Sequence, residues 1–261
     1  MISQYMKRIH MDMPKHINLD FLVRLHRQHV YHIPFENLSI KAKQPLSLDL
    51  SDLFKKVVAE NRGGFCYELN HLFYGLLTSL NYDCDMIAAR IFKEDVLGPP
   101  LDHMAIWVRH TDHYLCDVGY GDLFRSPMKL LHGFVQDDGI NRYKIIQNAE
   151  KRYTLYKSNL DNALVKRYEF ELIPRSIDEF QQICQEKQTS SDSHFVKNLI
   201  CSRATNHGRQ SVFNEVFIVN DNGVRTEEKI ASQSQLFTIL KTQFGVEMNG
   251  QLTFPDRPGG I

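Results

Sequence analysis

The sequence predicts an α+β fold, and three observations carry that expectation. Residues 1–83 repeat apolar side chains at helical spacing. After Asn81 the chain turns to short segments rich in β-branched and aromatic residues, separated by turn residues. The last part is mixed, a hairpin followed by an amphipathic helix. Helices and strands thus come in blocks, whereas a doubly wound sheet alternates them.

The elements follow in order. Leu19, Leu22, Val23 and Leu25 fall on one helical face, with Asn18 available as N-cap and Pro34 ending the pattern. Asp49, Ser51 and Asp52 open another helix with Leu53, Phe54, Val57 and Val58 as its buried stripe, and Gly63-Gly64 breaks it. A third helix starts at once, along Cys66, Leu69, Phe73, Leu76, Leu77 and Leu80. Antiparallel strands are expected at 86–91, 103–108, 114–118, 143–146, 153–156 and 165–172. A helix over 176–187 and a polar linker at 189–193 come next. Strands at 212–219 and 224–230 flank Asn220-Asp221-Asn222-Gly223, a strong hairpin signal. Leu236, Ile239, Leu240 and Phe244 mark a final amphipathic helix.

Composition narrows the function. The chain has 261 residues, with 43% hydrophobic and 24% charged, which suits a globular protein with a sizeable core. Lys+Arg and Asp+Glu both number 31, so there is no basic excess of the kind that tracks phosphates, and a nucleic-acid partner is disfavoured. No apolar run approaches the roughly 18 residues a membrane helix needs, and no membrane association is expected. The segment MISQYMKRIHMDMP does not read as a secretory signal, and LTFPDRPGGI carries no lipidation box. Five cysteines, at 66, 84, 116, 184 and 201, are odd in number, widely spaced and without a CxxC pair. Neither a disulfide framework nor a zinc knuckle is expected, and free thiols in a reducing cytoplasm are.

One cysteine stands apart. In Asn61-Arg62-Gly63-Gly64-Phe65-Cys66-Tyr67-Glu68-Leu69-Asn70, two glycines allow a tight approach and Cys66 falls in the first turn of a helix. Unpaired N–H groups there favour a thiolate and supply oxyanion donors. A small buried residue on an apolar helix is the plain alternative. A thiol nucleophile needs an imidazole, itself oriented by a third group. His103 opens one expected strand and Asp117 closes the next. A register placing Trp107 opposite His113 also places His103 opposite Asp117, with their β-carbons about 5 Å apart. Each alone also reads as a structural histidine and a strand-end carboxylate. The remaining cysteines read as packing residues. His26, His29 and His32 recur every three residues and read as a polar helix face rather than metal ligands, and no metal is expected. His71 points away from the Cys66 face, and Lys7-Arg8 and Lys55-Lys56 read as solvated pairs.

Residues 62–70 resemble the nucleophile motif of the arylamine N-acetyltransferases. Ile33-Pro34-Phe35-Glu36-Asn37-Leu38, His103-Met104 and Asp117-Val118-Gly119-Tyr120-Gly121 resemble further motifs of that family in the same order, and Phe195…Cys201-Ser202…Thr205…Gly208-Arg209 resembles its third domain. The resemblance covers almost the whole chain. It implies a cysteine-protease-like core in three domains: helical (1–83), a central antiparallel β-barrel (84–188) and a small α/β lid (189–261). It implies acetyl-coenzyme A as co-substrate, with Cys66 as nucleophile, His103 as base and Asp117 as orienter. An arylamine, arylhydrazine or N-arylhydroxylamine takes the acetyl group. Arg62 and Glu36 are expected to pair and brace the Cys66 loop, Phe35 and Tyr120 to line the acceptor pocket, and Thr205 to touch coenzyme A. Asp122 stands where many members carry a small residue. The same triad also suits hydrolysis, transglutaminase-like acyl transfer from an amide, or a family amide synthase with another acyl donor. A binding module with a structural Cys66 is a further reading.

Overall fold

The computed structural model describes residues 1–159, 162–248 and 252. The first part is helical: α1 (Ile2–Arg8), α2 (Leu19–His32), α3 (Leu38–Lys41), α4 (Leu50–Phe54) and α5 (Cys66–Ser79), with a two-residue strand β1 (Phe35–Glu36) after α2. The expected caps form. Asn18 accepts from the Phe21 N–H at 2.9 Å, and Asp49 from the Ser51 N–H at 2.7 Å, each satisfying donors that a helix start leaves unpaired. α4 continues into a π-helical turn, Lys55–Ala59, before the Gly63-Gly64 break.

The strands that follow are β2 (Asp83–Lys93), β3 (Val96–Leu97), β4 (His103–Arg109), β5 (His113–Cys116), β6 (Met128–Lys129), β7 (Val135–Asp137), β8 (Arg142–Ala149), β9 (Arg152–Ser158) and β10 (Leu164–Pro174). They pair antiparallel in the order β6-β5-β4-β2-β10-β9-β8-β7, with β3 folded back on β2. The Gly133 N–H donates to the Ile145 carbonyl at 2.8 Å, tying the segment between the two end strands back onto β8. The sheet therefore curls into a nearly closed barrel. Alternation along β4 divides its side chains: Met104, Ile106 and Val108 join the helical core with Leu69, Phe73 and Leu77 of α5. Ala105 joins the barrel core with Leu115, Tyr143, Tyr168 and Phe170.

The remainder holds a 3-10 turn (Ile177–Phe180), α6 (Gln181–Thr189), α7 (His194–Lys197), β11 (Ile200–Thr205), β12 (Gly208–Phe213), β13 (Val216–Asp221), β14 (Val224–Lys229) and α8 (Gln233–Phe244). The second sheet runs β1-β11-β12-β13-β14, so Phe35 from the helical part pairs with Ser202. The hairpin at Asn222-Gly223 forms, with both residues at positive φ. The strand expected over 212–219 is instead two. Phe213 pairs with Val216 across a turn at Asn214, whose φ of 53° breaks the apolar run. β11 escapes a periodicity reading because Ser202 and Arg203 interrupt its hydrophobic pattern. α6 also takes in Thr189, which the sequence assigned to the linker.

The histidine row of α2 is not a polar face. His26 and His29 are fully buried, because that edge of α2 packs against α5 and the segment after β5. His26 lies against Phe73 and Phe124, and His29 meets the Tyr5 hydroxyl at 2.7 Å. Burial pulls the His26 pKa from 6.5 down to about 4 and that of His29 well below its usual value. In the unfolded chain both take a proton near 6.5, while the folded protein refuses it. Their stabilisation is thus present above that pH and is lost as pH falls towards 4. The thermal midpoint is expected to drop steadily between about pH 7 and pH 4.5, with His26 alone accounting for up to about 3 kcal/mol. A flat melting profile across that window contradicts this account.

Candidate active site

The loop before α5 is built around Glu36. A β-carbon on Gly63 would stand 2.0 Å from the Pro34 carbonyl oxygen, so the close crossing of the two segments requires glycine. Arg62 donates to Glu36 Oε1 through Nε at 3.0 Å and Nη2 at 2.8 Å, the Gly63 N–H adds a third bond at 3.2 Å, and the Leu38 N–H donates to Oε2 at 2.6 Å. Burial pushes the Glu36 carboxyl up, but Arg62, Lys56 and the Leu38 N–H outweigh it and hold the group ionised. Removing either buried partner would strand the other charge at a cost of about 3–5 kcal/mol. Neighbouring Lys56 is not simply solvated, since its Nζ reaches the buried Glu68 Oε1 at 2.7 Å. Arg8 likewise turns inward and donates to the His32 and Val57 carbonyls.

His103 and Asp117 meet, though by a different register from the one expected. Trp107 pairs with Leu115 and Arg109 with His113, a shift of two residues. The turn is tighter than expected, running through residues 110–112. A two-residue shift preserves which face each side chain takes, so the contact survives where a one-residue slip would have destroyed it. Asp117 lies just past the end of β5 and reaches His103 diagonally. His103 Nε2 is 2.7 Å from Asp117 Oδ2, with both side chains buried.

Two residues that sequence reasoning missed complete the carboxylate's surroundings. Asn70 Nδ2 donates to Asp117 Oδ1 at 3.0 Å, as does the Gly119 N–H at 3.0 Å, while the Tyr168 hydroxyl donates to Oδ2 at 3.1 Å. With His103, four donors fill the acceptor capacity of a buried carboxylate. Burial pushes the Asp117 carboxyl up, but the adjoining His103 and these hydrogen bonds outweigh it and hold it below the usual range. Asn70 also accepts from the Val118 N–H at 2.9 Å and donates to the Met104 carbonyl at 2.6 Å, so it ties α5, β4 and the Asp117 loop together. It sits four residues after Cys66 on the same helical face, a signal the sequence did carry. Tyr168 had none. The buried His26 accepts the Asp117 backbone N–H at 3.2 Å from behind.

Cys66 opens α5, and its helix start abuts this group. A β-carbon on Gly119 would lie 2.8 Å from Cys66 Cα and 2.7 Å from Asn70 Nδ2. Only glycine lets the Asp117 loop come so close. Cys66 is 4% exposed. The expectation that a helix start lowers its pKa is not met. Burial pushes the thiol up, the Lys187 ammonium draws it back, and Cys184, Asp102 and Asp117 push it further up. Burial thus works against the charged form of this thiol. With Nε2 engaged by Asp117, His103 offers Nδ1. Among the described residues, no hydrogen bond is made by that nitrogen or by the Cys66 sulfur.

Phe35 and Tyr120 line one cavity with Asp117, Val118, Gly121 and Arg209. The Tyr120 ring stands edge-on to His103 with centroids 5.3 Å apart. The cavity holds about 20 Å³, the space of a single water. Thr205 lies at the end of β11, opposite Gly208, and among the described residues no hydrogen bond joins it to Cys66, His103 or Asp117. Asp122 pairs with Lys157 of β9. Cys84, Cys116, Cys184 and Cys201 are buried and free, and His71 is spent on the Leu48 carbonyl at 2.9 Å. Among the described residues no His, Cys, Asp and Glu side chains gather to hold a metal, and no helix is long and apolar enough to cross a membrane.

The family described as N-acetyltransferase matches residues 18–253. The arylamine N-acetyltransferase pineal gland isozyme NAT-3 of Gallus gallus is 29% identical, over 89% of each chain. Arylamine N-acetyltransferase 1 of Homo sapiens is 26% identical over 96% of each. Among solved structures, the Mycobacterium tuberculosis arylamine N-acetyltransferase superposes with a TM-score of 0.87 at 27% identity, covering 94% of each chain. The Mycobacterium marinum enzyme in complex with CoA gives 0.87 at 25% identity, over 94% of this chain and 93% of that one. This chain is an acyltransferase that uses acetyl-coenzyme A, and it belongs to the arylamine N-acetyltransferase family.

Proposed function

We propose that the acetyl group travels through Cys66 as a thioester, with His103 as the base and Asp117 as its orienter. The observation that carries this reading is the buried His103–Asp117 pair at 2.7 Å, set against the helix that Cys66 opens. Asp117 fixes the imidazole with its proton on Nε2, leaving Nδ1 to accept the thiol proton as the sulfur attacks the thioester carbonyl. The N–H groups of the first turn of α5 have no partner within the helix and face the developing oxyanion. His103 then protonates the departing coenzyme A sulfur and later takes a proton from the attacking amine. The near-total burial of Cys66 keeps water from the acetyl-enzyme, which favours transfer over hydrolysis.

Arylamines, arylhydrazines and N-arylhydroxylamines are the acceptors we assign, received between Phe35 and Tyr120. Arg62 and Glu36 hold the Cys66 loop, and Thr205 touches coenzyme A. The core is cysteine-protease-like. The chain divides into a helical domain (1–83), a barrel domain (84–188) and a lid domain (189–261). We place the enzyme in the cytoplasm, where five free thiols are stable, in the metabolism of foreign aromatic amines. The covalent scheme predicts ping-pong kinetics. Reciprocal initial-rate plots at several acceptor concentrations are expected to run parallel, and intersecting lines would exclude a free acetyl-enzyme.

A further inference from the structure

An ion pair outside the triad flanks the nucleophile. Lys187, in the last turn of α6, donates from Nζ to Asp102 Oδ1 at 2.6 Å, and both side chains are largely buried. Each end of the pair is held. The Lys187 ammonium lies 5.8 Å from the centre of the Phe195 ring, which stands edge-on to Phe65 with centroids 5.4 Å apart. Phe65 is the N-cap of α5, the residue before Cys66. Asp102 presents its backbone carbonyl to the Tyr67 hydroxyl at 3.1 Å, and Tyr67 is the residue after Cys66. A β-carbon on Gly98 would stand 2.7 Å from Asp102 Oδ2, so the loop before β4 packs closely on the carboxylate. Through the Phe195 ring and the Asp102 carbonyl, the pair reaches both chain neighbours of the nucleophile.

The two ends of the pair act on Cys66 with opposite sign. Burial works against charge on the sulfur, and Cys184 of α6, Asp102 before β4 and Asp117 after β5 add to that. The Lys187 ammonium opposes them, and its effect on the sulfur is larger than that of Asp102. The positive end of the pair therefore dominates at Cys66. On α5 itself, the Tyr67 hydroxyl is spent on the Leu101 and Asp102 carbonyls. His103 of β4, the base of the proposed scheme, is bound to Asp117 at 2.7 Å. Charges that face one another across a buried site are weakly screened by solvent and salt. The last turn of a helix also suits a cation, so α6 steadies the ammonium where it stands.

We propose that Lys187 is a positioning residue for the nucleophile: Asp102 and Phe195 fix its ammonium so that the pair turns its positive end to Cys66 and favours the stages at which that sulfur carries negative charge. The proposal rests on the acyl-transfer reading of the site and adds a group to it. In that scheme the sulfur becomes negative as its proton passes to His103, and again as the attacking amine expels it from the acetyl group. Lys187 keeps its proton throughout and exchanges no bond with the substrate. Because Lys187 and Asp102 carry opposite charges, their removal must move the sulfur in opposite directions. A mere brace between α6 and the loop before β4 is lost equally from either end.

The test follows alkylation of Cys66 by iodoacetamide against pH, read by the mass of its peptide. The probe is uncharged, so local charge does not attract it. The full-length enzyme is compared with Lys187→Met, which keeps the stem's packing, Lys187→Arg, Asp102→Asn and the double variant Lys187→Met/Asp102→Asn. At one pH near neutrality, Lys187→Met is expected to react roughly three- to tenfold more slowly than the wild type. Asp102→Asn is expected to react faster, and Lys187→Arg close to the wild type. The double variant should fall between the wild type and Lys187→Met. The acid limb of the single-turnover rate of Cys66 acetylation should move in the same order. Slowing in both single variants would reduce the pair to a brace and overturn the proposal, as would a Lys187→Met profile that matches the wild type. A loss confined to KM for acetyl-coenzyme A, with alkylation unchanged, would make Lys187 a contact of the donor and overturn it too. Should a single variant not fold, the double variant, which strands no charge, decides: a rate equal to or above the wild type at the same pH overturns the idea. Acetylation of wild-type Cys66 by acetyl-coenzyme A separates the two levels. If it occurs while the expected order fails, only this proposal falls; if it does not occur, the acyl-transfer reading falls with it.

Discussion

Asp117→Asn is expected to lower kcat/KM by about 10⁴-fold with the fold retained. The reason lies in the donors around the carboxylate. Oδ1 accepts from Asn70 Nδ2 and the Gly119 N–H, both of which can only donate. An asparagine must keep its oxygen there, which turns its NH₂ towards His103 Nε2 and the Tyr168 hydroxyl. Nε2 would then have to accept, and the imidazole proton would move to Nδ1. That nitrogen could no longer take the thiol proton. The neutral amide also gives no charge to stabilise the imidazolium. Shape and burial barely change, so circular dichroism should match the wild type. The loss should appear in the single-turnover rate of Cys66 acetylation rather than in acceptor KM. A variant keeping more than about a tenth of wild-type activity would show that the carboxylate's charge is not what drives the proton transfer.

The parts of the site that share a helix or a hairpin were legible in the sequence. Cys66 at the start of an apolar helix, His103 on one strand and Asp117 just past the end of the next could be placed from local patterns. Even the wrong register left them on one face, because it erred by two residues and not by one. The parts that depend on distant segments were not legible. Tyr168 reaches Asp117 from 51 residues away, beside a bulge in β10 that no periodicity announces. His26 looked like a polar helix face because α2 gives no sign of what packs on that side. It is buried behind Asp117 by chain 91 residues further on. The thiol's environment was misjudged for the same reason. A helix start can be read locally, but the burial that outweighs it comes from the barrel and α6 together.

Cys66→Ala is expected to abolish turnover while leaving a folded protein. The wild type mixed with acetyl-coenzyme A should gain about 42 Da on the peptide holding Cys66, and the variant should gain nothing. Burial pushes the thiol up, so the sulfur gains as a nucleophile when a base takes its proton, the part proposed here for His103. The field of the Cys184 thiol also reaches Cys66, yet burial pushes Cys184 up to about 12. Loss of one sulfur from a site that is 4% exposed removes little apolar surface, and the unfolding free energy should fall by only about 1 kcal/mol. The pairing of a large catalytic loss with a small stability loss separates a nucleophile from a packing residue. If the alanine variant acetylates arylamines within tenfold of the wild type, transfer proceeds directly from coenzyme A to amine. In that case the His103–Asp117 pair serves the amine alone.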